Sequence, residues 1–256
     1  MSLFNEKLKN IPLWELLLLF IGLFVIIFGL KFFHVSINPI WCYSIIIFYF
    51  ILKFRDSFGE FKIDVFNIFS KVSFSDILIL VLLNIFFSYG MLYFSNMILS
   101  FFDLKNSIIW PFISAMSLNI EIFGVTSFLS IVLISPIVEE LIFRGVFLNK
   151  LKLFVPTVFA VLISSLLFAS LHSFGSMFSA FIFAICMAIL YLKSENILLP
   201  IFGHFLNNLI GESIFHLDYA QVLFNDGAVM EIMSVLAVVS FILILKFIHS
   251  NWNMFK

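Results

Sequence analysis

Charge is what this chain has least of. Asp, Glu, Lys and Arg make up 11% of its 256 residues, hydrophobic residues make up 63%, and the mean hydropathy is +1.18. A domain of this size cannot cover that much apolar surface in water, so composition excludes a soluble globular protein and puts the chain in a lipid bilayer. Cysteine is also scarce. Cys42 and Cys186 both lie in apolar runs, which excludes a disulfide framework and offers no metal-ligand spacing. A net charge of −1 gives no support to nucleic-acid binding. Internal repeats, low-complexity linkers and a polar domain are lacking, so residues 1–256 read as one membrane domain. The first apolar run is too long for a signal-peptide core and lacks a small-residue cleavage pattern, so it is expected to stay as a helix.

What is present is a series of apolar runs near the roughly 20 residues that a transmembrane helix needs. They predict an all-α, polytopic bundle of about eight transmembrane helices at about 12–33, 39–54, 77–101, 125–148, 155–173, 175–192, 196–211 and 229–248. The segment 104–120, with Trp110 and Pro111, reads as an interfacial or re-entrant piece, and loop 55–76 as a cytoplasmic connector. Lysine and arginine support the same topology, because short cytoplasmic loops collect them. With both termini cytoplasmic, eleven of the fourteen fall inside: Lys7, Lys9, Lys53, Arg55, Lys62, Lys71, Lys150, Lys152, Lys193, Lys246 and Lys256. Outside lie Lys31 and Lys105. Arg144 belongs to neither set.

Arg144 stands instead in PIVEELIFRG, with Glu139 and Glu140, inside an apolar run. Each ionisable group at bilayer depth costs roughly 2.5–3.5 kcal/mol on insertion scales, so three within six residues point to a functional site. Residues four apart share a helical face. Glu140 and Arg144 are therefore expected to pair, while Glu139, turned by about 100°, is the free carboxylate. His172 is expected on the fifth helix, and His204 with Asn208 four residues on lies on the seventh. At about 1.5 Å per residue, Glu139 and His204 both fall roughly 16 Å from the cytoplasmic face, with His172 deeper at roughly 24 Å. A carboxylate able to activate water, two imidazoles and an amide donor describe amide hydrolysis. A metal bound by the histidines and the glutamate is the other use of such a set.

These residues also carry a family resemblance. EELIFR is similar to the EExxxR motif, FASLH to the FxxxH motif and HFLNN to the HxxxN motif of the CAAX-protease and bacteriocin-processing (CPBP, or Abi) intramembrane endopeptidases, in the family's order. The resemblance covers about residues 125–211, marking them as the catalytic core. It implies a catalytic glutamate pair Glu139 and Glu140 with Arg144 as partner, His172 and His204 as the essential histidines, and Asn208 beside the second. It also implies a peptide or protein substrate, hydrolysed within an integral multi-pass protein. The phenylalanine and isoleucine excess hints at an AT-rich genome, and the expected location is a bacterial cell membrane. Water activation is left open between zinc and the glutamate alone, because HExxH is absent and the histidines occupy different helices. The alternative reading is a non-catalytic membrane regulator or bacteriocin-immunity protein that binds a peptide or receptor.

Overall fold

A computed structural model of the chain describes residues 3–35, 39–103, 125–218 and 222–255. Among them every regular element is helical. The helices are α1 (Leu3–Asn10), α2 (Leu13–Phe32), α3 (Pro39–Phe54), α4 (Phe58–Phe66), α5 (Phe74–Phe101), α6 (125–151), α7 (Thr157–Ala169), α8 (Phe174–Ser194), α9 (Leu198–Leu217), α10 (Val222–Asn225) and α11 (Gly227–Asn251). Each of the eight predicted stretches contains a helix. The expected interfacial piece at 104–120 lies outside the described residues. Among the described residues, four stretches are long and apolar enough to cross a membrane: Leu13–Leu30, Phe74–Phe101, Phe174–Ser194 and Gly227–Asn251. At about 1.5 Å per residue the 13-residue α7 reaches only about 20 Å, short of the roughly 30 Å hydrocarbon layer.

One boundary needs correction. The fifth helix was expected to run through residue 173, carrying His172, but α7 stops at Ala169 and His172 sits in the turn before α8. Serine explains the break. Ser170 turns its hydroxyl onto the Leu167 carbonyl, and Ser173 is the extended N-cap residue of α8, its hydroxyl paired with that of Ser176. Such local bonds compete with helix continuation.

The core lies around α8, where an unbroken run from Ile182 to Tyr191 is buried. Helix α5 is clamped between α8, α9 and α11, and its Gly90 is there for proximity: a Cβ at that position would stand 2.2 Å from the Ala237 Cβ of α11. Helices α1 and α4 form a small group at one end. Phe4 and Leu8 of α1 are buried, with Leu8 against Gly145 of α6. Asn5, fully buried, donates to Asp64 of α4 and accepts from the backbone N–H of Ile197 at the start of α9, while Asn196 donates to the Asp64 carbonyl. The α1 helix escaped the sequence reading, although Phe4, Leu8 and Ile11 show its buried stripe.

Candidate active site

The site is built on α6, which is not a uniform helix. Ser130–Ile134 and Leu141–Leu148 are wound as π-helix, and the α-helical turn Ser135–Glu140 is held between them. Widened turns of this kind recur at functional sites because they re-aim side chains and loosen carbonyls. Here neighbouring helices take up the loosened groups. In the first π segment the bonds run five residues back, as from Ser135 N–H to the Ser130 carbonyl. The next donor in that register would be residue 136, which is proline and has no N–H. Asn208 of α9 supplies the missing donor, its Nδ2 standing 2.9 Å from the Ile131 carbonyl oxygen. Asn208 is in turn tied through Asn207 to Asn84 of α5. In the second π segment Ser164 donates to the Phe143 carbonyl, and Asn149 donates to the carbonyls of Arg144 and Gly145 and to the Tyr191 hydroxyl.

Within this frame Glu140 and Arg144 form the expected pair, with Arg144 Nη1 3.0 Å from Glu140 Oε1; both side chains are at most 1% exposed. Arg144 also donates to the Ala184 carbonyl of α8 at 3.1 Å and lies 4.6 Å from the centre of the Phe168 ring. That ring is the hub of the site. It also touches Phe143, His172 and His204, which explains the phenylalanine of the FASLH motif. A buried guanidinium is tolerated because carboxylate, carbonyl and ring face together replace its water.

His204 shares the Glu140 carboxylate, its Nδ1 2.9 Å from Oε1, and is wedged between Phe168 and Phe183. A carboxylate only accepts, so Nδ1 carries the hydrogen and Nε2 is turned elsewhere. Nε2 stands 4.0 Å from Oε2 of Glu139. The two residues thus meet, as their equal depths allow. His172 donates from Nδ1 to the Phe168 carbonyl at 3.1 Å and lies within electrostatic range of Glu139 and His204. Glu140 Oε2 is buried with no hydrogen-bond partner.

Glu139 occupies a different environment from its neighbour. Its Oε1 accepts a hydrogen bond from Ser135 Oγ, one turn earlier on α6. Its carboxylate forms part of the wall of a cavity of about 420 Å³ bounded by α2, α3, α6 and α7. Phe20, Ile46, Ile142, Phe143, Phe147 and Leu167 make most of the remaining wall, in which Glu139 is the one charged group. Tyr43 of α3 lines the same cavity and interacts with Ser135. Neither was found from sequence: Ser135 had a signal in its i, i+4 spacing from Glu139, whereas Tyr43 had none.

The donor set does not fit a resident metal ion. Among the described residues no three His, Cys, Asp or Glu side chains converge in a way that could hold one.

Comparison with known proteins adds a family likeness. No curated protein and no solved structure matches the chain. The sequence model of the Rce1-like family, described as type II CAAX prenyl endopeptidase Rce1-like, matches residues 121–210, which takes in every motif residue from Glu139 to Asn208. The segment that carries Glu139, Glu140, Arg144, His172, His204 and Asn208 is thus similar to the Rce1-like CAAX endopeptidase family.

Proposed function

We propose that the protein is an intramembrane endopeptidase that hydrolyses a peptide bond in a membrane-associated peptide or protein, with water activated by Glu139. The observation that carries this reading is the 4.0 Å gap between Glu139 Oε2 and His204 Nε2, beside a cavity whose walls are mostly apolar. That gap suits one water molecule accepted by both groups, since each contact would lie within ordinary hydrogen-bond reach of about 2.6–3.2 Å. Glu139 takes a proton as the water oxygen attacks the carbonyl carbon. The same proton then passes to the leaving nitrogen as the C–N bond breaks. Glu140 and Arg144 hold His204 in the tautomer that faces the gap. The second amide hydrogen of Asn208 is assigned to the developing oxyanion.

The substrate approaches as an apolar segment, because a charged or strongly polar chain would lose its hydration in this cavity without compensation. Eight membrane-crossing helices with both termini cytoplasmic are the topology we infer, supported by the segregation of lysine and arginine. The test compares membrane and secreted peptides by mass spectrometry in cells carrying the native chain, Glu139→Ala or His204→Ala. Cleaved products should vanish in both variants at native protein levels. Identical peptide profiles would instead favour a non-catalytic binding protein.

A further inference from the structure

Glu139 is held on the side away from His204 by a hydroxyl. Ser135 Oγ donates to Glu139 Oε1, and the segment Ser135–Glu140 that carries both is packed against α3. Each carboxylate oxygen thus has its own surroundings: Oε1 on the serine and Oε2 across from His204 Nε2. A carboxylate bound at one oxygen cannot swing about its terminal torsion, which is otherwise broad and roughly two-fold. Its other oxygen is then presented in one direction.

We infer that Ser135 is a positioning residue for the water-activating carboxylate. This rests on the endopeptidase reading and adds to it the hydroxyl that orients Glu139. Ser135 transfers no proton in the reaction. It limits the orientations of Glu139, so its loss lowers the fraction of enzyme poised for attack and leaves substrate affinity alone.

The experiment uses the full chain in phosphatidylcholine liposomes and a pool of internally quenched fluorogenic peptides with apolar residues flanking the scissile bond. Ser135→Ala should lower kcat about five- to twentyfold, the loss of one hydrogen bond to a charged group, with KM unchanged within about twofold. Ser135→Thr, which keeps the hydroxyl, should recover activity to within about threefold of native. A native kcat in Ser135→Ala, or a change confined to KM, would overturn the proposal while the enzyme reading stands. Native chain and Glu139→Gln that are equally inactive would overturn both.

Discussion

Two helices of nearly equal hydropathy have opposite surroundings. Leu13–Leu30 in α2 averages 2.6 and is 11% buried, whereas α8 averages 2.1 and is 67% buried. Hydropathy reports that a helix prefers lipid or protein to water, and it does not distinguish lipid from protein, because both are apolar. Side-chain size does part of that work. Helix α8 carries Ala180, Ala184 and Ala188 among its buried residues, while α2 turns Phe24, Val25 and Phe28 outward. Small residues let backbones approach, and bulky ones suit a lipid-facing surface. The charges divide in the same way. Glu15 of α2 bonds Tyr49 and a partly exposed Lys53 on α3, whereas Glu140 bonds Arg144 and His204 in full burial.

The contrast can be broken hardest at the site. Glu139→Gln should cut peptide hydrolysis by about 10²–10⁴, the usual worth of a general base, with normal membrane accumulation. Retained hydrolysis would move the chemistry elsewhere. Next comes the buried pair: Arg144→Met should destabilise by about 3–5 kcal/mol, since it leaves Glu140 without its cation, while Lys53→Met at the α2–α3 pair should cost less than about 1 kcal/mol. Thermal unfolding of the two variants in detergent gives the comparison, and equal shifts would show that burial does not separate the pairs.

Glycine sharpens it further. Gly90→Ala pushes a methyl against Ala237 and should cost about 1–3 kcal/mol, whereas a Cβ at Gly22 meets nothing within 4 Å and should change stability by no more than about 0.5 kcal/mol. The smallest effect is expected at the surface. Lys71 lies 3.0 Å from Glu195 and holds that carboxyl below its ordinary range. Because the folded state lowers this value, its contribution is complete above the unfolded-state value and is lost as pH falls through the folded one. Both groups are half exposed, so the contribution is below about 1 kcal/mol. Lys71→Ala should remove that slice of the acid-side loss of stability, measured as Tm against pH.

How much of the site was readable depended on the distance in sequence. Glu140 with Arg144 follows from one helical turn, and the closeness of Glu139 to His204 from equal spacing to basic loop residues. His172 was placed on a helix because Phe168 to Ala169 continues an apolar pattern; the serines that end it act through local hydroxyl bonds that hydrophobic periodicity ignores. The π-helical turns of α6 were invisible for a similar reason. Their carbonyls are satisfied by Asn149 of α6 itself and by Ser164 and Asn208 of α7 and α9, and a winding that depends in part on other helices leaves little mark in its own segment.

Composition alone determined that this chain lives in a bilayer and folds as helices, since in hydrocarbon a helix satisfies its backbone hydrogen bonds within one segment. Motif spacing determined which side chains are too costly to bury without purpose. Tertiary structure decided the rest: that one glutamate is locked to Arg144 and His204 while its neighbour faces a cavity, that Asn208 stands in for the N–H that Pro136 lacks, and that Tyr43 comes to Ser135 from another helix. The physical reason is directional. Hydrophobic burial has no preferred angle and can be read from residue type, whereas hydrogen bonds and ion pairs depend on ångström-scale placement that only the packed helices supply.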